Sequence, residues 1–424
     1  MTLIVNKHLI AQKKYIIILT CLGIAAVFMW ISLSAVAAVY SPSRTMGAQS
    51  KVSANVVTQD IPTIEGNDKA PSTIVNKSAT VTTLSDCMSS QPRRPTLASA
   101  TSPQLRKLAQ YEQACDSGII TRMSFFVATP TTIAEANKYA QYVAKQLREF
   151  ATHNVSPVVF FEPTSSTGLV DLKAYRDGTY DSALDTYFAA IKARGITDAM
   201  MGTWVPLPEG NLPVWTSVDP NIFAACVTKA VTYQKKHFPG SSASILLDTD
   251  TYPVSGSWVN GRPVSLLPYV KSIPYGLIDS VGLQGLPWSP ANNEGGTTNG
   301  APNQYLRADL LTELAHGMNI KDVWLNTGSF GVKYANQPGR QVTVKPEQRH
   351  VQLTGVVGVV KTLQAQGLAV SVHLFAENKS DVPEATDWSY WPNGKAASSS
   401  STIIFKTFVR DLQAANVSLW LFDI

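Results

Sequence analysis

The chain has 424 residues, of which 45% are hydrophobic and 15% are charged, and its formal net charge is +5. This composition is globular, and the length allows two or three average domains or one α/β barrel with appendages. The positive excess is partly local, at Lys7, Lys13, Lys14, Arg93 and Arg94, and the sequence has no basic stripe with interleaved aromatic residues, which argues against a nucleic-acid partner. Four cysteines are too few for a disulfide scaffold, and no His/Cys cluster has zinc-ligand spacing. We therefore predict no metal and no cofactor.

The amino end contains an uncharged apolar segment, residues 15–40, which exceeds the about 20 residues that a helix needs to span a bilayer. Lysines precede this segment, so the positive-inside rule places residues 1–14 in the cytoplasm and the rest of the chain outside. The pattern predicts a single-pass protein of the cell membrane. The triplet AVA ending at Ala37 also resembles a signal-peptidase site, and cleavage there would give a secreted protein instead.

The predicted linker is residues 41–117, and within it residues 41–100 are rich in Ser, Thr, Pro, Ala and Val and have few aromatic residues. This stretch shows no helical or strand period, which predicts a flexible tether that holds a domain away from the membrane. Cys87 and Cys115 flank the entry to the folded part and could pair outside the cytoplasm. The remaining residues, 118–424, form the predicted folded domain.

Apolar strand patterns alternate with helical patterns throughout this domain. The predicted strands are residues 120–130, 155–164, 243–253, 278–288, 322–331 and 369–378, the segment that ends at Glu209, and residues 416–424. Near-continuous apolar strands separated by helices indicate a parallel sheet that helices cover. The count predicts the α/β class and a (β/α)₈ TIM barrel. An open doubly wound sheet is the alternative, although no strand is followed by a Gly-rich phosphate loop.

In a TIM barrel the chemistry sits at the carboxyl ends of the strands. The polar and aromatic residues that the sequence places at or beyond these ends are Glu162, Trp204, Glu209, Asn211, Trp215, Asp248, Asp250, Gln284, Trp288, Asn326, His373 and Glu377. Carboxylates, amides and indoles are the groups that sugar chemistry uses, and the set contains no Ser-His-Asp arrangement. His373 alternates with apolar residues and is also compatible with a role in barrel packing.

The most informative stretch is residues 202–215, GTWVPLPEGNLPVW. Glu209 stands alone in it, with Asn211 two residues later and Trp204 and Trp215 on either side. A carboxyl group at the mouth of a barrel can protonate a glycosidic oxygen, an amide can bind a ring hydroxyl, and indoles can stack on pyranose faces. A solvated glutamate in a proline-rich surface loop is the alternative interpretation.

Four segments in order over roughly residues 120–400 resemble family 26 glycoside hydrolases, the β-mannanase group of the clan A barrels. They are VVFFEPT, LKAYRDGTYDSALDTYFAAIKARG, PLPEGNLPVW and HLFAENKSDVPEATDWSYW. The resemblance implies hydrolysis of a β-linked polysaccharide, with mannan as the first guess. It also implies that Glu209 is the general acid/base and Asn211 its neighbouring amide. By the same resemblance, Trp215 is a subsite platform and Trp288 lies near the nucleophile.

The nucleophile position depends on how the strands are counted. We predict the register in which the irregular LVDLKAY segment is the third strand. In this register DVWLNTGSFG is the seventh strand, and Asn326 stands where the family has its nucleophilic glutamate. An amide cannot form the covalent intermediate of a retaining enzyme, so weak or absent hydrolysis is expected. If LVDLKAY is only a loop, Glu377 lies on the seventh strand and could be the nucleophile.

Three functions fit these observations. The first is a cell-surface glycoside hydrolase whose second carboxylate is Glu377 or Asp250. The second is a catalytically degenerate surface module that binds polysaccharide or oligosaccharide. The third is a structural or adhesive protein in which the barrel is only a scaffold. The distance from Glu209 to the nearest carboxylate across the barrel mouth distinguishes the first two.

Overall fold

The computed structural model describes residues 97–114, 120–211, 219–249, 258–259, 262–263, 265–285, 306–328, 333–337, 340–343, 346–376, 378–379, 386–387 and 399–422. The predicted cytoplasmic tail, the predicted anchor at residues 15–40, Cys87 and Cys115 lie outside these ranges and stay predictions. In the part of the chain that the structure describes, no helix is long and apolar enough to cross a bilayer. The chain divides into two units, Met1–Ser78 and Ala79–Ile424, and the described residues belong to the second.

Eight parallel strands form a closed barrel. They are β1 (Ile120–Ala128), β2 (Ser156–Glu162), β5 (Thr203–Pro206), β6 (Ser242–Asp248), β9 (Ser280–Gly285), β10 (Asp322–Thr327), β13 (Ala369–Phe375) and β16 (Ser418–Phe422). Around the ring the order is β1-β16-β13-β10-β9-β6-β5-β2, so each strand pairs with the next barrel strand along the chain and β1 pairs with β16. The predicted TIM barrel is confirmed, and the open sheet is excluded.

Helices and short strands connect the barrel strands. The α-helices are α1 (Pro103–Ala114), α2 (Ile133–Thr152), α3 (Leu172–Arg176), α4 (Asp181–Ala193), α5 (Asp198–Met201), α6 (Pro220–His237), α7 (Ala308–Met318), α8 (Pro346–Ala365) and α9 (Ser399–Ala414), and the 3₁₀ helices are Leu97–Ser99 and Leu267–Tyr269. The short strands are β3 (Thr164–Ser165), β4 (Gly168–Leu169), β7 (Trp258–Val259), β8 (Arg262–Pro263), β11 (Lys333–Gln337), β12 (Arg340–Thr343), β14 (Asn378–Lys379) and β15 (Thr386–Asp387). The last four form a separate sheet of order β12-β11-β15-β14.

The LVDLKAY segment is not a barrel strand, so the predicted register is wrong. Leu169 belongs to the short β3–β4 hairpin, and the chain then enters α3. Asp171 starts this helix, because its side chain accepts hydrogen bonds from the backbone N–H groups of Lys173 and Ala174. Glu209 therefore follows the third barrel strand rather than the fourth. Asn326 lies on the sixth strand, and the seventh is β13.

Two apolar layers stabilise the barrel. Alternate residues of the strands point inward, and their rings and aliphatic groups form a small interior cluster. This cluster consists of Val158, Phe160, Val205, Leu246, Trp324, Phe375 and Trp420. The larger layer lies between the outer face of the strands and the helices. Inside the barrel, a Cβ atom added to Gly282 would lie 2.2 Å from the indole of Trp324, so the fifth strand needs glycine where this ring passes.

Helix α1 belongs to the folded unit, although it falls within the predicted linker. Leu105, Leu108 and Tyr111 are fully buried in the core. The ring of Tyr111 packs 5.0 Å from that of Phe405 in α9, centroid to centroid. Leu97, in the preceding 3₁₀ helix, is also part of the core. The packed part of the chain thus includes residues before position 118.

Candidate functional site

A tight turn after the third barrel strand presents Glu209. Leu207 and Glu209 adopt left-handed backbone conformations, with φ of 50° and 56°. Such angles are uncommon outside glycine and occur where the surrounding structure enforces them. The Leu207 N–H donates to the Phe161 carbonyl at 2.9 Å, and the Glu209 N–H donates to the Leu246 carbonyl at 3.0 Å. The turn is thus held to the second and fourth strands, and the Glu209 side chain is half-buried.

Gly210 and Asn211 complete the turn. A Cβ atom at Gly210 would lie 2.2 Å from the ring of Phe223, so this position allows close approach to helix α6. Asn211 Nδ2 donates to the Asp248 carbonyl at 2.7 Å, and the Asp248 N–H donates to Asn211 Oδ1 at 2.8 Å. The side chain of Asn211 is buried. Asn211 was predicted to bind a sugar hydroxyl, but the structure shows it joining the third and fourth strands.

Three buried side chains are joined by hydrogen bonds across the carboxyl ends of the fourth, fifth and sixth barrel strands, β6, β9 and β10. Gln284 Nε2 donates to Asp248 Oδ2 at 2.8 Å. Asn326 Nδ2 in turn donates to Gln284 Oε1. Asp248 and Gln284 are 5% exposed and Asn326 is 2% exposed, so the set is almost closed to solvent. The strand register explains the contact, because Asp248 pairs with Gln284 in β6–β9 and Gln284 with Asn326 in β9–β10. We call these three residues the amide relay.

His373 lies inside the barrel and is fully buried. Its ring packs against those of Trp324 and Phe160, each 5.6 Å away between centroids, and Nε2 is 3.2 Å from Ser124 Oγ. Burial lowers the pKa of His373 to about 3, against the opposite effect of a hydrogen bond to the Leu421 backbone. The imidazole is therefore neutral at physiological pH. His373 was predicted to bind substrate, but the structure supports its other interpretation, as a packing residue.

Trp204 is a core residue, which corrects the prediction that it lines a sugar cleft. Its side chain is 1% exposed. The indole packs against Phe161 and Phe188, with centroids 5.7 and 5.2 Å away, and Nε1 donates to the Met201 carbonyl at 3.0 Å. Val205 points into the barrel, so its neighbour Trp204 points outward to the helices.

The second strand ends in Glu162, which is half-buried. Its carboxylate lies 3.5 Å from Thr164 Oγ1, and its carbonyl accepts a hydrogen bond from the Thr129 N–H at 3.1 Å. The predicted role of Glu162 in substrate binding stays a prediction. Of the other predicted site residues, Trp215, Asp250, Trp288 and Glu377 lie outside the described ranges.

Glu135, near the mouth of the barrel, is a polar residue with several hydrogen bonds, and it was not among the predicted site residues. The Glu135 carboxylate accepts hydrogen bonds from Thr131 N and Oγ1, at 2.8 and 2.7 Å, and from Ser166 N at 3.2 Å and Ser166 Oγ. Glu135 thereby holds the β3–β4 hairpin to the start of α2. The sequence does contain a signal, because Thr132 and Glu135 have the spacing of a helix capping box.

The Glu135 anchor should weaken in acid. Burial by itself raises the pKa of Glu135, but hydrogen bonds from Ser166 and Thr131 outweigh this effect and lower the pKa to about 2. A carboxyl group whose pKa is lower in the folded state stabilises that state above its unfolded pKa, here about 4.5, and loses this contribution as the pH falls toward 2. We expect the native chain to be more stable than Glu135→Gln at pH 7, with a difference that shrinks below pH 5.

Urea denaturation of both proteins between pH 2 and pH 7 measures this difference. Glu347→Gln, which changes an exposed carboxylate in α8, is the control for the loss of one charge, and the effect of Glu135→Gln should exceed its effect. A difference between native chain and Glu135→Gln that is constant across this range would contradict the assignment.

The carboxyl end of the barrel thus combines two half-buried carboxyl groups, Glu162 and Glu209, with the buried amide relay. Among the residues that the structure describes, no group of three His, Cys, Asp or Glu side chains could hold a metal ion. Cys226 is buried, and burial raises the pKa of its thiol to about 12. This thiol is therefore not a nucleophile at neutral pH. The chemistry that these groups can support is proton transfer by carboxyl groups and hydrogen bonding by amides.

A scan of protein-family models finds no match to the chain, and a search of curated proteins finds none either. Solved structures with a similar fold include a β-glucosidase from Thermotoga maritima bound to deoxynojirimycin. It is 12% identical, with a TM-score of 0.48, and the alignment covers 72% of this chain and 86% of that chain. An apo β-glucosidase, 1317, is also 12% identical, with a TM-score of 0.47 and coverage of 73% and 87%.

Another of these structures is a family 1 β-glucosidase from Thermotoga maritima bound to isofagomine lactam. Its identity is 12%, its TM-score is 0.47, and the coverage is 72% of this chain and 86% of that chain. At this level of similarity the fold assignment rests on the closed strand order itself. The resemblance to family 26 has no matching family model.

Proposed function

We propose that this barrel is a glycoside hydrolase that cleaves a β-linked polysaccharide, with mannan as the first candidate. The observation that supports this most is the turn at Glu209. It holds a half-buried carboxyl group at the carboxyl end of a closed barrel, through two left-handed residues and hydrogen bonds to both neighbouring strands. Strained backbone concentrates at functional sites, and this end of the barrel is where the fold places its chemistry.

The second carboxylate of the proposal is Glu377. It comes two residues after Phe375, the last residue of β13, so it follows the seventh barrel strand in the chain. Glu209 follows β5, and β5 and β13 are four positions apart in the ring of eight strands, which makes them opposite. Carboxyl groups from opposite sides of the mouth can flank a glycosidic bond. A degenerate site was expected because Asn326 was assigned to the seventh strand. Asn326 lies on the sixth strand, so this reason no longer applies.

In this proposal Glu209 protonates the leaving glycosidic oxygen. Glu377 then attacks the anomeric carbon if the two carboxyl groups lie about 5–5.5 Å apart, or activates a water if they lie about 6.5–9.5 Å apart. Asp250 is the alternative second carboxylate. Asp248 is less suited to this role, because one of its oxygens accepts a hydrogen bond from Gln284 and the side chain is 5% exposed.

A cell-surface location is part of the proposal. It rests on the uncharged segment at residues 15–40 and the lysines before it, from which the positive-inside rule predicts a barrel outside the cytoplasm. Protease added to intact cells should then remove residues 118–424, whereas protection of that domain would contradict the location.

The proposal is tested with the purified full-length chain on β-mannan, β-glucan and β-xylan, with release of reducing ends as the measurement. We expect hydrolysis of at least one of them. Glu209→Gln should lower the rate by about 10²- to 10⁴-fold, because a general acid typically contributes this much. Glu347→Gln should leave the rate unchanged. Binding of oligosaccharide without hydrolysis would favour the glycan-binding module instead, and neither binding nor hydrolysis would leave the barrel as a scaffold.

A further inference from the structure

The amide relay ends in an acceptor to which no residue in the described part of the chain donates a hydrogen bond. Asn326 is 2% exposed, and its Nδ2 donates to Gln284. In the part of the chain that the structure describes, no hydrogen-bond donor contacts Asn326 Oδ1. A buried oxygen without a donor destabilises the folded state, so such an atom in a native protein needs an explanation.

The orientation of this acceptor follows from the other end of the relay. Gln284 Nε2 donates to Asp248 Oδ2 at 2.8 Å, so the NH₂ group of Gln284 faces Asp248. The carbonyl oxygen of Gln284 then faces Asn326, which must supply its own NH₂ group. Asn326 Oδ1 is therefore fixed as an acceptor, and rotation of the amide would break the bond to Gln284.

Asn326 lies on the inner face of the barrel, near the carboxyl end of its strand. Asn326 is the residue before the last in β10, and Trp324, two residues earlier, points into the barrel. Since side chains alternate along a strand, Asn326 lies on the same inner face but one step nearer the carboxyl end. This is the end at which TIM barrels bind their substrates.

We propose that Asn326 Oδ1 is a binding site for one hydroxyl group of a neutral sugar. The inference rests on the proposed function and adds a specificity determinant to it. The site selects a hydrogen-bond donor, because a ligand with hydrogen or fluorine in place of that hydroxyl leaves Oδ1 without a partner. Loss of one such hydrogen bond should weaken binding about tenfold.

Isothermal titration of the full-length chain with mannotriose, cellotriose, xylotriose and laminaritriose identifies the best ligand. Its monodeoxy analogues are then titrated against native chain and Asn326→Leu. We expect native chain to bind one analogue about tenfold more weakly than the parent sugar. Asn326→Leu should bind the parent about tenfold more weakly than native chain does, and should not distinguish that analogue from the parent.

Two further variants distinguish the loss of the Asn326 acceptor from a general disturbance of strand β10. Thr327→Val replaces a different buried polar group of β10, a hydroxyl, with a methyl group of nearly the same size, and it should behave as native chain does. Asn326→Ala removes the same acceptor with a smaller side chain and should also lose the discrimination between parent and analogue. It provides the test if Asn326→Leu does not fold, because retained discrimination in Asn326→Ala would overturn the inference.

The outcomes distinguish this inference from the function on which it rests. Suppose that native chain binds a sugar, and that each analogue binds more weakly than the parent by the same factor in native chain and in Asn326→Leu. Asn326 then binds no sugar hydroxyl. The inference is then wrong and the proposed function stands. If native chain neither binds nor hydrolyses any of the sugars, the proposed function fails and the inference fails with it.

Discussion

Glu377→Gln is expected to lower the hydrolysis rate by more than about 10³-fold, because the amide can neither attack the anomeric carbon nor activate a water. The substitution preserves the size of the side chain, so affinity for the best trisaccharide should change by less than about tenfold. Initial rates on the best polysaccharide and titration of the trisaccharide measure the two quantities. Proton NMR of the first product also shows whether the anomeric configuration is retained.

Robust hydrolysis by Glu377→Gln would contradict this assignment and would make Asp250 the second carboxylate. Glu347→Gln is again the control. The strand order also determines the expected effect of Asn326→Glu. On a seventh strand this substitution would have supplied a missing nucleophile. On the sixth strand it places a second carboxylate in the relay that already contains Asp248, so it should weaken the relay without raising activity.

Trp204→Ala should reduce the free energy of unfolding by about 3–5 kcal/mol, the usual cost of removing a buried aromatic side chain. The indole is 1% exposed, packs against the rings of Phe161 and Phe188, and donates to the Met201 carbonyl. Urea denaturation measures the loss. Trp204→Phe, which keeps one ring in the same layer, should cost less.

Below the unfolding transition, Trp204→Ala should bind the best trisaccharide as native chain does, because the indole faces the helices. The opposite result is a loss of less than about 1 kcal/mol in the free energy of unfolding, together with weaker sugar binding. It would show that Trp204 lines the sugar cleft. This pair of measurements separates a core residue from a stacking platform.

The barrel could be predicted from the sequence because its strands are apolar runs of the right length, separated by helical patterns. The strand count could not be predicted as reliably. Val170, Leu172 and Tyr175 give LVDLKAY an apolar content that suits a strand, but the Asp171 side chain caps a helix there. A local hydrogen bond therefore decided the register, and the register decided which residue follows the seventh strand.

The sequence predicted which polar residues stand at strand ends, but not what they contact. The relay requires Asp248, Gln284 and Asn326 to be level across three strands, which depends on pairing between distant segments. The role of Asn211 depends on the backbone of another strand in the same way. Trp204 was misplaced because both faces of a four-residue apolar strand are buried, so the pattern does not show which face is inside.

Gly282 and Trp324 share a single volume at the centre of the barrel. The indole occupies the space that a side chain on the fifth strand would fill, and its Nε1 donates to Ser244 Oγ on the fourth strand at 2.8 Å. The two positions therefore cannot vary independently during evolution. A larger residue at position 282 requires a smaller one at position 324, and the hydroxyl of Ser244 would then lose its indole donor. One ring thus constrains the composition of three strands at once.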